Sequence, residues 1–335
     1  MSPIKSIAPI MDETFFSWLH RQSVFSESFR FPLYMLLDDF ERCSRVEAFD
    51  RDFDFGSAFA AKASSHLSLS HNECVTLFGT SAWLLPEYNR RAFCWECLQE
   101  HVEKVHYPCH LISWCNVVRT HCSIHNSLLR EHPRSDRLSL NFGLGAFVYF
   151  CANKNRYDHD DLHKLFSFKP IADYCLRIAR CIETAKQSQG TENYSYWSTY
   201  KILMQVMLVP SYGIISTILH RRRETHRTSN IWQALAFAPI AASGVDRALA
   251  LLLVGIAVRH FTEFESAEII DALRCSQYLD IRFHDRGTLG SACNVFTYEN
   301  GNVIAQALTH SSIELAGAPL DDFLTGFMRG LRRRR

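Results

Sequence analysis

The sequence predicts a mainly α-helical fold, and three observations carry that prediction. Apolar residues recur with a helical period through most long segments, helix-start signals stand ahead of several of them, and strand-like runs are few and short. At 335 residues the chain exceeds one core of ordinary size, so two or three domains are expected. Hydrophobic residues at 47% and charged residues at 21% are the usage of a folded globular chain and exclude a disordered one.

Taken in order, Thr14 reads as the N-cap of a first helix whose apolar face is Phe15, Trp18 and Leu19. A second helix is expected over 31–40, with Pro32 near its start where a missing N–H costs little. A third is expected over 57–67. Ser70-His71-Asn72-Glu73 has the form of a capping box and predicts a fourth, carrying Cys74, Val75, Leu77 and Phe78. From 90 to 130 cysteines, histidines and aromatics crowd together without a clear helical period. Amphipathic stretches resume near 145–152, 160–185, 196–208, 211–222, 231–240, 245–260, 265–277 and 319–331. Strands are expected at 278–283 and 294–298.

The most apolar run, residues 248–258, has 11 residues, whereas a membrane-spanning helix needs about 20, so it reads as a buried core helix and no membrane partner is expected. Lysine and arginine exceed aspartate and glutamate by one, so any attraction to nucleic acid must come from a local patch. Twelve cysteines without a recognisable secretory leader point to a reducing compartment, the bacterial cytoplasm. There, cysteines at short regular spacing read as metal ligands.

Cys94-Trp95-Glu96-Cys97 and Cys122-Ser123-Ile124-His125 each place two ligands two residues apart, with 24 residues between the pairs. Two such turns supply the four tetrahedral donors of a closed structural zinc site, so one Zn²⁺ held by Cys94, Cys97, Cys122 and His125 is expected. Four protein donors leave no position for a catalytic water. His101, His106, Cys109, His110, Cys115, His121 and His132 lie in or near the same segment and are either ligands of a second ion or packing residues. Cys43, Cys74, Cys151, Cys175, Cys181, Cys275 and Cys293 have no partner at such spacing and read as small hydrophobes.

The order Ser17-Trp18-Leu19, Arg91, Cys94-x-x-Cys97-Leu98, Trp114 and Cys122-x-x-His125 followed by Leu128-Leu129 resembles the TniQ family, which includes TnsD-like target selectors of bacterial transposons. The match covers about 12–132. It departs from the common pattern in having Trp95 and Ser123 where proline is usual, and His132 where many members carry a further cysteine. The resemblance implies a non-catalytic accessory of DNA transposition and recombination. Such a protein helps select the insertion site and links DNA or a DNA-bound targeting complex to the transposon's AAA+ ATPase and transposase. Three segments are then expected: 1–88 as the N-terminal helical part of a TniQ-like domain, 89–137 as an embedded zinc-ribbon module, and 138–335 as a helical C-terminal region.

That last region offers a candidate helix-turn-helix at 196–227. A supporting helix would end near Leu208, a turn would follow at 209–213, and a second helix over 214–223 would end in His220, Arg221, Arg222 and Arg223, with Arg227 behind. These five residues are the candidate DNA contacts, and a helix-turn-helix reading a two-fold site implies a homodimer. The alternative for the arginines is a solvated helix end complementing the dipole. The four arginines at 332–335 read as a phosphate-binding or a solubilising tail.

Enzymatic readings find less. No phosphate-binding Gly-x-x-x-x-Gly-Lys-Ser/Thr loop is present, and Gly143-x-Gly145 lacks the third glycine of a dinucleotide fingerprint. A zinc-stapled His-metal nuclease of the HNH type would draw on His121, His125, Asn126 and His132, with His125 already committed to zinc. Asp158-His159-Asp160-Asp161-x-His163 reads as a metal cluster or, more simply, as a helix start. A protein-docking adaptor that presents Trp83, Trp95 and Trp114 and touches no DNA is the third class.

Overall fold

The computed structural model describes residues 7–26, 33, 35–38, 50–133, 142–158, 160–187, 191–210, 213–220, 230–294, 296–313 and 320–332. They are mainly helical and divide into two compact units, 1–116 with 129–159, and 117–128 with 160–335.

In the first unit, α1 (Phe15–Phe25) begins at Thr14, whose side chain accepts from Ser17 N. The expected helix over 31–40 is described only at 33 and 35–38, which are helical with Leu33, Leu36 and Leu37 buried. Next come α2 (Ala58–His66), capped by Ser57, and α3 (His71–Phe78), whose capping box at Ser70 and Glu73 is formed as its sequence requires. Phe15 and Trp18 of α1 each lie 5.2 Å from the Phe78 ring, which seals the core of these helices.

Two ionic clusters fix the loops around this core. Arg21 is buried against Glu13 at 2.7 Å, and buried Arg90 reaches both Asp50 and Asp52. The strand β1 (Ala92–Phe93) pairs antiparallel with β2 (Arg130–Glu131), and Arg91 extends the pairing by accepting from His132 N. Between them, α4 (Trp95–Val105) is a regular helix, where the sequence showed no clear helical period. Trp95, Leu98, Val102 and Val105 do fall at helical spacing along it, a short stripe that the surrounding cysteines and histidines obscured. Trp95 stacks on Phe147 and Phe150 of α5 (Phe142–Asp158), at 5.2 and 4.1 Å.

The second unit runs through α6 (Asp161–Ser167), α7 (Lys169–Gln187), α8 (Thr191–Leu208), α9 (Ile214–Ile218), α10 (Ile231–Ala241), α11 (Gly244–Ala257), α12 (Glu263–Arg274), α13 (Arg286–Cys293), α14 (Tyr298–Ile313) and α15 (Asp321–Arg332). The apolar run read as a core helix is α11, every residue of which except Val245 is buried. Among the described residues no single helix is long and apolar enough to cross a membrane, and α10 and α11 are bent by 114° at their junction. The single stretch expected over 160–185 is two helices broken at Phe168, because Pro170 is accommodated only in a new first turn.

Both expected strands are absent: 278–283 is irregular, and the described part of 294–298 is a loop that leads into α14. The region holds α13 and α14 instead. The expected helix over 214–223 stops at Ile218, so no helix-turn-helix is seen among the described residues. Ile214, Ile215, Thr217 and Ile218 are β-branched and propagate a helix poorly, Leu219 closes the turn, and His220 takes a left-handed φ of 46°.

Candidate metal centre

Each half of the Cys-x-x-Cys and Cys-x-x-His pattern is shaped by its own backbone. Cys94 leaves β1 in an extended conformation and serves as the N-cap residue of α4, and Cys97 lies in the first turn of that helix. Their sulfurs therefore sit at the positive end of a helix, where thiolate charge is favoured. Cys94 Sγ donates to Glu96 Oε2 at 3.1 Å.

Cys122 to His125 form a tight turn. Asn126 N donates to Cys122 O at 2.9 Å, and Cys122 N donates back to Ser127 O at 2.9 Å. Asn126 takes the left-handed φ of 54° that closes the loop, a conformation asparagine tolerates better than most residues. The His125 backbone N–H points at Cys122 Sγ at 3.4 Å, and His125 Nδ1 lies 3.6 Å from the same sulfur. An N–H aimed at sulfur favours the deprotonated, metal-binding form.

The ligand atoms of Cys94, Cys97, Cys122 and His125 all lie within 4.8 Å of one another. The three cysteines are buried and the imidazole is half-buried. Three sulfurs and one nitrogen converging on one point can hold one metal ion, and this soft, four-fold donor set is the kind that selects tetrahedral zinc.

Among the described residues no other group of three or more His, Cys, Asp or Glu converges in this way. The other candidates are used elsewhere. His110 is buried, donates Nε2–H to Ala92 O at 3.2 Å, and is pushed down to a pKa of about 4 by burial. His121 bonds Thr120 Oγ1 and Phe166 O at 2.9 Å each and is lowered to about 4 by the same cause. Burial raises the thiols of Cys109 and Cys115, so both stay protonated. His101 is lowered by burial, His106 ends α4 in the left-handed conformation, and His132 bonds Pro133 O at 2.7 Å.

The acidic stretch 158–163 behaves as a helix start where it is described. Asp160 caps α6 by accepting from His163 N at 3.0 Å, Asp161 accepts from Tyr278 Oη at 2.6 Å, and His163 donates to Leu128 O at 2.8 Å. His159 lies outside the described residues. Trp114 is buried with its ring edge-on to His110, whereas Trp83 and Trp95 are half-buried. His220 is exposed in the turn after α9. Arg221, Arg222, Arg223 and Arg227 lie outside the described residues.

The residues behind the resemblance have definite structural work. Ser17 Oγ accepts from His110 N at 3.0 Å, Trp18 Nε1 donates to Ile7 O at 2.7 Å, Arg91 pairs with Glu131 at 3.4 Å, and Leu128 and Leu129 are buried. Compared with family models, with curated proteins and with solved structures, the chain has no match in any of the three.

Proposed function

We propose that this chain is a non-catalytic accessory protein of DNA transposition, similar to the TniQ family, which helps choose the target site and recruits the transposition ATPase and transposase. The metal ion of the Cys94, Cys97, Cys122 and His125 cluster is zinc in a structural role. The observation that carries the reading is the convergence of the Cys-x-x-Cys and Cys-x-x-His pairs on one closed site, since four protein donors hold an ion without leaving it a water to activate.

The ring bonds of His121 to Thr120 and Phe166 also count against a nuclease built around this segment. A general base needs a ring nitrogen open to a water or substrate, and this one has both occupied. DNA contact is assigned to the basic segment at 220–227, which is the densest run of positive charge outside the C-terminal arginines.

The test is a salt titration of zinc-loaded protein against labelled duplex DNA with magnesium present, beside the triple variant Arg221→Ala, Arg222→Ala, Arg223→Ala. Uncut DNA should be retained with a log–log salt slope that flattens by up to about 3 in the variant, one phosphate contact per arginine. Cleaved DNA would replace this reading with the nuclease. Absence of retention at low salt would replace it with the protein adaptor.

A further inference from the structure

The second unit contains a cavity of about 570 Å³ framed by α11, α12, α13 and α15. Its size falls in the range of small-molecule sites. Two features of its wall are unfinished by the fold itself. Ser266, on α12, is only 8% exposed and its hydroxyl has no hydrogen-bond partner among the described residues. Such a group carries a desolvation cost unless a ligand bonds it.

The second feature is Arg286. Its side chain is 14% exposed and is fixed by donating Nε to Ile256 O at 3.1 Å and an Nη to Phe261 O at 3.4 Å. The nearest carboxylate among the described residues is Glu263, 3.9 Å away and itself 94% exposed. A sheltered guanidinium with donors left over and so weak a counter-charge is an anion-binding group. Arg329 of α15 lines the same cavity, is exposed, and has no ion pair among the described residues.

We propose that this cavity binds a small organic phosphate that also carries hydroxyl groups, of the class of sugar phosphates and nucleoside monophosphates. Arg286 and Arg329 hold the phosphoryl oxygens, and Ser266 supplies a further hydrogen bond. The rim carboxylate of Glu263 accepts from the ligand's hydroxyls and disfavours a bare polyanion, whereas that of Asp322 already accepts from Arg259 at 2.5 Å. The site is independent of the transposition reading and would make this unit responsive to a soluble metabolite.

The test is calorimetric titration of full-length, zinc-loaded protein with ribose 5-phosphate, adenosine monophosphate and ribose, with thermal unfolding as a second readout. At least one phosphate ester should bind and raise the midpoint, and ribose should not. Arg329→Gln and Ser266→Ala should each weaken binding by about tenfold, with neither lowering the unliganded midpoint or the zinc content. Failure of both esters to bind the unaltered protein overturns the proposal. So does equal binding of ribose, or undiminished affinity in the two folded variants.

Discussion

Cys122 Sγ and His125 Nδ1 stand 3.6 Å apart. The edge joining a sulfur and a nitrogen in a tetrahedral zinc site is about 3.5 Å, from bond lengths of about 2.3 and 2.0 Å, so this pair is spaced as two ligands of one ion would be. Structural zinc contributes roughly 10–16 kcal/mol of apparent free energy in zinc-finger peptides, as much as the whole stability of an ordinary domain. Purified protein should therefore carry one zinc per chain by elemental analysis. Cys97→Ser and Cys122→Ser should lose it and unfold locally, whereas Cys151→Ser, at an exposed position, should keep it. Zinc retained at full stoichiometry by Cys122→Ser would refute the assignment.

His110 predicts an acid sensitivity whose direction is fixed by burial. Its pKa drops from 6.5 in the unfolded chain to about 4, because burial penalises the charged ring. Between those values the unfolded chain binds the extra proton, so the stabilisation is complete above pH 6.5 and is lost as pH falls through 4. The loss amounts to roughly 3 kcal/mol at most. Metal release in acid acts in the same direction, so the test is the difference between the unaltered protein and His110→Gln. In urea unfolding from pH 7 to 4 the variant should lose less stability on acidification; equal losses would sink the idea.

The two-residue spacing of the ligand pairs made the metal cluster legible, because a tight turn is a local property that sequence encodes directly. The caps at Thr14 and Ser70 were legible for the same reason. The misread strands near 280 and 296 show what was not. There α13 has only eight residues and buries just Leu289, Gly290 and Cys293, with glycine contacts doing much of the packing, so hydrophobic periodicity has little to report. The cavity wall joins Ser266, Arg286 and Arg329, which are far apart in the chain and share no motif. Only the packing of α12, α13 and α15 brings them together.

Arg21 and Glu13 form a pair of almost fully buried charges, 2.7 Å apart, and Ser17 of the Ser-Trp-Leu segment donates to the same carboxylate at 3.3 Å. Removing one partner strands the other, at a cost of about 3–5 kcal/mol. Glu13→Gln should therefore lower the chemical-denaturation midpoint sharply, and the double variant Glu13→Leu, Arg21→Met should recover a large part of the loss. A single variant as stable as the parent would show that the pair does not hold α1 to its loop.

The last prediction concerns how closely α13 and α15 approach. A Cβ added at Gly326 would lie 1.8 Å from Gly287 O, and one added at Gly290 would lie 2.1 Å from Phe323 O. In both cases the obstacle is backbone of the facing helix, so no side-chain rotation relieves it and the helices must separate. Ordinary overpacking of a core costs about 1–3 kcal/mol, and a clash with backbone belongs at or above the top of that range. Gly56→Ala is the matched control, since its Cβ would meet nothing nearer than the Asp54 carboxylate at 3.5 Å. Gly326→Ala should lower the thermal midpoint by several degrees for each kcal/mol lost, while Gly56→Ala should leave it nearly in place. Because Ser291 Oγ donates to Gly326 O and Asn294 donates to Phe327 O across the same seam, the separation should also break two hydrogen bonds. Hydrogen exchange should then rise in α13 and α15 together, and exchange confined to the substituted helix would mean that the glycine contact does not couple them.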